Sequence, residues 1–277
     1  MTTLSKHVVL ITGAASGIGQ QLALQAAAAG ARVLATDRNA EGLAETARLA
    51  TAPITTARLD MADAAAIAQF ATDTVPTLGN APLILVNNAG VALSSGTFAD
   101  TDLADFEWLL SINLWGVIRM TKAFLPYMQA QQAGHIVNLS SVFGLAGVMH
   151  QSAYCTAKFG VRGFTEVLRM ELAGTGIGVT CVHPGGIKTA IARSARRGVG
   201  SSITEGMLQQ AARSFDRAAR TTADEAARQI WRGVAQNQTR ILIGPDARQI
   251  DWLTRLLPTR YTKLLRSRIE ATFRTDG

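Results

Sequence analysis

Short apolar runs rich in branched residues alternate along the chain with longer segments in which apolar residues recur at helical spacing. A short branched run between turn residues is typical of a strand that is buried on both faces. Regular alternation of such strands with helices predicts an α/β fold, a doubly wound parallel sheet of seven strands covered by helices on both sides. The predicted strands are Val8–Thr12, Arg32–Thr36, Ile54–Leu59, Leu83–Asn87, His135–Leu139, Gly178–Val182 and Arg240–Ile243.

The segments between these strands are rich in Ala, Leu and Gln and predict crossover helices. The clearest of them are Gln20–Ala29, Ala62–Val75, Leu103–Gln131 and Ser152–Leu172. No linker rich in Pro, Gly or Ser and no internal repeat divides this part of the chain, so residues 1–245 are predicted to form a single domain.

Two segments fall outside the regular alternation. Ala190–Arg220 is a long insertion after the sixth strand, and insertions of this kind are often lids or binding loops. Residues 246–277 carry apolar side chains at helical spacing between basic residues, which predicts a helical extension. We expect this extension to pack on the core or on a neighbouring subunit, with a substrate-pocket wall or a membrane-surface contact as the alternatives.

Composition and charge exclude several classes of function. The 277 residues are 48% hydrophobic and carry a formal net charge of +7, but Lys and Arg are dispersed, which argues against a nucleic-acid partner. Cys155 and Cys181 fit neither a disulfide framework nor a metal site, so no metal is expected. Neither a secretory signal nor a run of ~20 apolar residues is evident, which predicts a cytoplasmic protein without an integral membrane segment.

The turn after the first strand is rich in glycine and leads directly into a helix. It reads Thr-Gly-Ala-Ala-Ser-Gly-Ile-Gly over residues 12–19. Glycines at such a turn let backbone N–H groups approach a pyrophosphate, and the helix N-terminus favours negative charge. The second strand is followed by Asp37, whose carboxylate can accept hydrogen bonds from an adenosine ribose. Together these features predict a dinucleotide site.

Polar residues also follow the fourth and fifth strands. Asn87-Asn88-Ala89-Gly90 ends the fourth strand, at the sheet edge where ligands bind in open α/β sheets. Ser140 and Ser141 follow the fifth strand, and Tyr154 and Lys158 then lie four residues apart, on one face of a predicted helix. A nearby cation lowers the pKa of a phenol, so this spacing predicts a tyrosine adapted for proton transfer.

Taken in order, these motifs resemble the short-chain dehydrogenase/reductase family of the common single-domain type, over roughly residues 5–245. The resemblance implies a Rossmann-like fold and an enzyme that moves a hydride between a nicotinamide cofactor and a carbonyl or alcohol carbon. It implies that Ser141 holds the substrate oxygen, that Tyr154 transfers the proton, and that Lys158 lowers the Tyr154 pKa and binds the nicotinamide ribose. Asn113 matches the family asparagine that holds a proton-relay water near the lysine.

The same resemblance assigns the cofactor contacts. Asp60 and Met61 match the residues that flank the adenine, and Ile187 and Thr189, in the Pro184–Thr189 segment, match those that contact the nicotinamide carboxamide. With the residues of the glycine turn, the second strand and the fourth strand, the predicted cofactor-binding residues are Gly13, Ser16, Gly17, Ile18, Gly19, Asp37, Arg38, Asp60, Met61, Asn87, Ala89, Gly90, Tyr154, Lys158, Pro184, Ile187 and Thr189.

Asp37, Ser16 and Arg38 decide the expected cofactor. Asp37 would repel the 2′-phosphate of NADP, and Ser16 lacks the basic side chain that NADP-preferring relatives often place there. Arg38 can nevertheless reach a phosphate, because guanidinium groups match phosphate geometry. We therefore expect NAD, with NADP as the alternative.

The substrate is the least defined part of the prediction. The expected pocket walls contain Leu93, Phe143, Leu145, Val148, Met149 and Ile191. Such walls predict a bulky hydrophobic ketone or secondary alcohol. Arg193, Arg196 and Arg197 suggest instead an anionic or thioester-linked 3-oxoacyl substrate. A third alternative is an NAD(H)-binding module without turnover. The resemblance also implies a homodimer or homotetramer that pairs the helices holding Asn113 and Tyr154.

Overall fold

The computed structural model of the protein describes residues 3–201 and 203–266. Seven strands form one sheet in which every neighbouring pair is parallel, in the order β7-β6-β5-β4-β1-β2-β3. These strands are β1 (Val8–Thr12), β2 (Arg32–Asp37), β3 (Ile54–Arg58), β4 (Leu83–Asn87), β5 (Gly134–Leu139), β6 (Ile177–Pro184) and β7 (Arg240–Ile243). The predicted fold class is confirmed, and each predicted strand ends within two residues of the observed one.

Burial along the strands explains why their sequences differ. β1 and β4 lie at the centre of the sheet and are buried at every position, so they are continuous apolar runs. β3 is an edge strand with exposed threonines, as expected where one side of the ladder faces solvent. Apolar clusters cover the two faces separately, one around the helices at residues 17–28 and 223–235 and the other around the helices at residues 64–74, 116–131 and 152–171.

The described helices are α1 (Gly17–Ala28), α2 (Ala40–Leu49), α3 (Ala64–Thr74), α4 (Leu103–Leu110), α5 (Gly116–Gln131), α6 (Ser152–Glu171), α7 (Glu205–Ala218), α8 (Ala223–Ala235) and α9 (Pro245–Leu256). Side chains cap the N-termini of five of them, namely Asn39, Asp63, Asp102, Thr204 and Thr222. Helices α2, α7 and α8 were not singled out by the sequence patterns.

The long helix predicted over Leu103–Gln131 is not regular, which corrects that prediction. A π-helical turn at Ser111–Trp115 separates α4 from α5. Asn113 lies in this turn and is fully buried. The spacing of apolar residues does not reveal the one extra residue that a π-helical turn contains. Such turns are frequent at functional sites.

The insertion between β6 and α8 is fixed at both ends and helical in the middle. Arg196–Arg197 pairs with Leu93–Ser94, and Thr221–Thr222 pairs with Ile187–Lys188. Helix α7 lies between these two pairings. After β7, the chain turns at Gly244 into α9, and residues 261–266 are again helical. Residues 267–277 of the predicted extension lie outside the described residues.

No helix in the described part of the chain combines the length and apolar character needed to cross a membrane.

Candidate active site

The glycine turn after β1 packs so tightly that side chains are excluded at two of its positions. Gly13 has φ +68°, and a Cβ there would lie 2.7 Å from the Cα of Ala89. A Cβ at Gly19 would lie 2.1 Å from the carbonyl oxygen of Gly13. The turn can therefore form only with glycine at these positions, and it directs the N-terminus of α1, at Gly17, into a large cavity.

Asp37 ends β2 beside this turn and holds it in place. Its carboxylate oxygens accept hydrogen bonds from the backbone N–H groups of Ala15 at 3.1 Å and Asn39 at 2.9 Å. Arg38 and Asp60 line the same region of the cavity. The carboxylates of Asp37 and Asp60 and the guanidinium of Arg38 therefore line the cavity together with the glycine turn.

Of the two asparagines that end β4, only the second faces the cavity. Asn87 is buried and donates from Nδ2 to Asn138 at 2.8 Å and to Thr121 at 3.0 Å, which ties β4 to β5 and α5. Asn88 lines the cavity and donates to the carbonyl oxygen of Gly13 at 3.0 Å. Asn87 therefore does not line the cavity, and its role as a cofactor contact stays a prediction.

Ser141, Tyr154 and Lys158 converge on one wall of the cavity. Ser141 follows β5 with an extended backbone, and Tyr154 lies on α6 one turn before Lys158. The Lys158 Nζ is 5.6 Å from the centre of the Tyr154 ring and donates to the Leu139 carbonyl oxygen at 2.9 Å. The Phe143 ring packs edge-on against Tyr154 with 5.9 Å between the ring centres.

Burial has the largest effect on the pKa values of Tyr154 and Lys158. It raises the pKa of Tyr154 to about 12, against the opposing effect of the Ser141 hydroxyl. It lowers the pKa of Lys158 to about 8. In the chain alone, loss of hydration favours the neutral form of both side chains, and the lowering of the Tyr154 pKa by Lys158 that the resemblance implies stays a prediction.

Asn113 does not line the cavity but lies directly behind its wall. Its side-chain Oδ1 accepts from the Val91 N–H at 2.8 Å, and its Nδ2 donates to the Val91 carbonyl oxygen at 2.9 Å. A Cβ added to Gly90 would lie 3.5 Å from Asn113 Oδ1 and 3.6 Å from Lys158 Nζ, so Gly90 separates the two side chains. The relay-water role of Asn113 stays a prediction.

The cavity has a volume of about 1150 Å³ and brings together most of the predicted site. The predicted residues that line it are Gly13, Ser16, Gly17, Ile18, Asp37, Arg38, Asp60, Met61, Ala89, Gly90, Ser141, Tyr154, Lys158, Pro184, Ile187 and Thr189. Gly19, Asn87 and Asn113 are the predicted residues that do not, and each supports the wall from behind.

Known proteins resemble this chain in sequence and in fold. The sequence model of the short chain dehydrogenase family matches residues 7–200. The chain belongs to this family. It is 42% identical over 272 residues to a Mycobacterium tuberculosis protein named as the oxidoreductase SadH, covering 96% of each chain.

Two further short-chain dehydrogenases illustrate the range of its relatives. The chain is 40% identical over 201 residues to a Streptomyces violaceoruber protein named as a ketoacyl reductase of granaticin polyketide synthesis, covering 70% of this chain and 72% of that one. The structure of a Burkholderia phymatum short-chain dehydrogenase/reductase in complex with NAD has a TM-score of 0.82 and 28% identity, covering 92% of this chain and 95% of that one.

The protein is thus a short-chain dehydrogenase, an oxidoreductase that acts on CH–OH groups with a nicotinamide nucleotide. Its own residues fit that cofactor, because the turn has no room for side chains at Gly13 and Gly19 and the N-terminus of α1 at Gly17 lines the cavity. Within the described residues, no cluster of His, Cys, Asp or Glu is arranged to hold a metal ion.

The substrate side of the cavity differs in part from the sequence prediction. Leu93, Phe143, Val148, Met149 and Ile191 line it as predicted, whereas Leu145 is buried elsewhere. The insertion is an expected binding loop and a pocket wall is one alternative for the extension, and both segments line the cavity through α7 and α9. The sequence patterns did not single out the lining side chains, which include Met207, Leu208, Phe215 and Ile250.

Arg193, Arg196 and Arg197 do not line the cavity, although neighbouring Ala192, Ser194 and Ala195 do. Arg193 forms an ion pair with Asp216 at 2.9 Å. Arg196 forms one with the buried Asp105 at 2.9 Å and stacks over Trp108. Acids of the chain itself thus pair with Arg193 and Arg196, and an anionic or thioester-linked substrate stays an alternative.

Proposed function

We propose that this short-chain dehydrogenase interconverts a bulky hydrophobic secondary alcohol and its ketone, with NAD as the preferred cofactor. The observation that carries the proposal is the set of apolar side chains from the insertion and α9, including Leu208, Phe215 and Ile250, that line the same cavity as Tyr154. Burying an apolar substrate against these side chains is favourable by about 25 cal/mol for each Å² of apolar surface removed from water.

Ser141 and Tyr154 perform the proton chemistry in this proposal. Their hydroxyl groups hold the substrate oxygen, and Tyr154 accepts its proton during oxidation and returns it during reduction. Lys158 is fixed behind the tyrosine by its hydrogen bond to Leu139. The nicotinamide, when bound, supplies the hydride acceptor or donor.

The preference for NAD rests on Asp37. Its carboxylate is held by two backbone N–H groups at the end of β2 and lines the cavity, so it presents negative charge where a 2′-phosphate would lie. Ser16 lines the same region without a compensating cation. Arg38 is the one side chain there that would favour NADP, and a free ribose hydroxyl suits the carboxylate better than a phosphate does.

A homo-oligomer is also part of the proposal. Large apolar side chains are exposed on α4, the π-helical turn and α6, namely Leu103, Trp115, Phe159, Val167 and Met170. These elements hold Asn113 and Tyr154, as expected if they pair between subunits. Light scattering after size exclusion should give a dimer or tetramer, and Trp115→Glu should give smaller species; a wild-type monomer would contradict this part.

The activity is tested by following NADH absorbance with purified protein. NAD or NADP is combined with a panel of secondary alcohols and ketones that includes long alkyl, aryl and steroid members, alongside a 3-oxoacyl thioester. Turnover of a hydrophobic member with NAD, abolished in Tyr154→Phe, is the expected result. Exclusive turnover of the thioester would favour the acyl substrate, and NADH binding without any turnover would favour a non-catalytic binding module.

A further inference from the structure

The C-terminal extension contacts the active-site cavity at several points that the match to the family does not cover, since that match ends at residue 200. The extension begins after Gly244, which adopts φ +94° and directs the chain back over the ends of β6 and β7. Asp246 lies in the first turn of α9 and lines the cavity, as does Ile250 one turn later.

Asp246 holds the loop that follows β6. Its Oδ2 accepts a hydrogen bond of 2.6 Å from the backbone N–H of Gly186. A Cβ added to Gly185 would lie 2.2 Å from both carboxylate oxygens, so the backbone of the loop packs directly on the carboxylate. The N-terminal turn of a helix is a favourable position for this negative charge. The carboxylate therefore fixes the segment immediately before Ile187, on the cofactor side of the cavity.

A second contact reaches a different loop of the cavity wall. The Tyr261 hydroxyl accepts a hydrogen bond of 3.3 Å from the backbone N–H of Gly147. Gly147 belongs to the loop between Ser141 and Tyr154, in which Val148 and Met149 line the cavity. The extension thus contacts two loops that border the cavity, one after β5 and one after β6.

The helix that carries these contacts is itself anchored to the sheet. The Asp251 carboxylate on α9 pairs with Arg240 of β7 and, at 3.1 Å, with Arg255. The Asp251 side chain is 11% exposed, and the two guanidinium groups hold its pKa below the usual range despite the opposing effect of burial. An ion pair with little exposure keeps its geometry better than a surface pair does.

We propose that the C-terminal extension positions two loops that border the active site, with Asp246 holding the Gly185–Gly186 loop for the cofactor and Tyr261 holding the Gly147 loop for the substrate. Both are positioning residues, because they act through backbone groups of residues that line the cavity. The proposal extends the proposed function, since it assumes a nicotinamide nucleotide beside Ile187 and Thr189.

The first experiment measures NADH binding by fluorescence in the full chain. Asp246→Ala removes the acceptor for Gly186, and loss of a charge-assisted hydrogen bond should raise the Kd for NADH about tenfold. Asp246→Asn keeps an acceptor oxygen without the charge and should restore part of the affinity. Asp73→Asn, at an exposed carboxylate on α3, is the matched control and should bind NADH as the wild type does.

Hydrogen exchange provides a readout that needs no bound cofactor. Asp246→Ala should accelerate exchange in a peptide covering residues 184–188, and Tyr261→Phe should do so in one covering residues 145–149. Thr262→Val, next to Tyr261 on an exposed position, is the control for the second variant. Each variant should leave the peptide of the other loop unchanged.

The outcomes separate this proposal from the proposed function. If Asp246→Ala binds NADH as the wild type does and exchange at residues 184–188 is unchanged, the positioning role is wrong. Equal weakening by Asp246→Ala and Asp246→Asn with a lower Tm in both would also overturn it, as that pattern marks a merely structural residue. If the wild-type chain binds no NADH, the proposed function fails, and the exchange rates alone then decide the positioning role.

Discussion

The His183 imidazole lies 3.0 Å from the backbone carbonyl oxygen of Ser141 through its Nδ1. A carbonyl only accepts, so Nδ1 carries the proton and donates. His183 is almost fully buried, and burial lowers its pKa to about 4, which keeps the ring neutral near pH 7. A buried histidine on β6 therefore fixes the main chain of the serine that faces Tyr154.

This contact predicts different effects for two substitutions of His183. His183→Asn retains a donor at the position of Nδ1, whereas His183→Leu leaves the Ser141 carbonyl without its partner, which costs about 1–3 kcal/mol. We expect His183→Leu to lower kcat about tenfold or more, with little change in the Kd for NADH. His183→Asn should retain most of the activity. Equal activity in both variants would show that the hydrogen bond does not position Ser141.

Acid stability should reflect two buried histidines. Burial lowers the pKa of both His135 and His183 to about 4, whereas in the unfolded chain each titrates near its ordinary value of 6.5. Between these values the unfolded chain binds more protons, so the free energy of unfolding falls as the pH is lowered. The loss is about 1.4 kcal/mol per pH unit for each histidine.

Urea unfolding at about pH 7, 6 and 5 measures this slope. His135→Gln removes one of the two contributions, so its stability should decline less steeply over the same range. The Nε2 atom of His135 forms a buried hydrogen bond of 2.7 Å with the Thr180 hydroxyl, and His135 does not line the cavity. An identical slope in the variant would contradict the assignment.

The pH dependence of turnover should have opposite directions for oxidation and reduction. Tyr154 accepts a proton only as the phenolate, and its burial-raised pKa of about 12 makes that form scarce near neutral pH. Alcohol oxidation should therefore accelerate from about pH 7 to about pH 10, while ketone reduction, which needs the neutral phenol, should not. Initial rates in both directions test this, and a parallel rise of both rates would argue against Tyr154 as the proton-transfer group.

Asp37 provides the test of cofactor preference. Asp37→Asn keeps the hydrogen-bond geometry toward Ala15 but removes the charge that would repel a 2′-phosphate. We expect the ratio of kcat/KM for NAD to that for NADP to fall about tenfold or more, mainly through improved use of NADP. Asp63→Asn, an exposed helix cap on α3, serves as the control. An unchanged ratio would indicate that Arg38 sets the preference.

The fold and the catalytic wall could be predicted because local patterns specify them. β1 and β4 are buried on both faces, which requires unbroken apolar runs, and Tyr154 and Lys158 share a helix face by spacing alone. The wall formed by α7 and α9 could not be predicted in the same way. Apolar spacing shows that Leu208 and Phe215 lie on one face of a helix, but only the tertiary arrangement determines which cavity that face covers.

Adjacent residues of the same type also limit what can be predicted from the sequence. Asn87 and Asn88 are chemically identical, and which one faces the cavity depends on where β4 ends. Asn87 is the last strand residue, so its side chain lies between Thr121 and Asn138 inside the fold. The ionisation of Tyr154 sets a similar limit, since the Tyr-x-x-x-Lys spacing indicates a neighbouring cation but not how much hydration Tyr154 and Lys158 lose in the fold.

Two glycines near the catalytic residues should respond in opposite ways to alanine. A Cβ at Gly144 would lie 2.2 Å from Ser140 Oγ and 2.6 Å from the Lys158 carbonyl oxygen, two atoms that hydrogen-bond to each other. Gly144→Ala must displace this pair, which costs about 1–3 kcal/mol and moves α6 relative to Ser141. We expect a lower Tm together with a loss of turnover.

Gly163 lies on an exposed position of the same helix, with no atom within 4 Å of an added Cβ. Gly163→Ala should stabilise α6 by up to about 1 kcal/mol, because alanine loses less backbone entropy in a helix. Thermal melting and turnover of both variants test the pair. If Gly144→Ala retained full stability and activity, the close packing of Ser140 against α6 would not be what holds Lys158 and Tyr154 in register with Ser141.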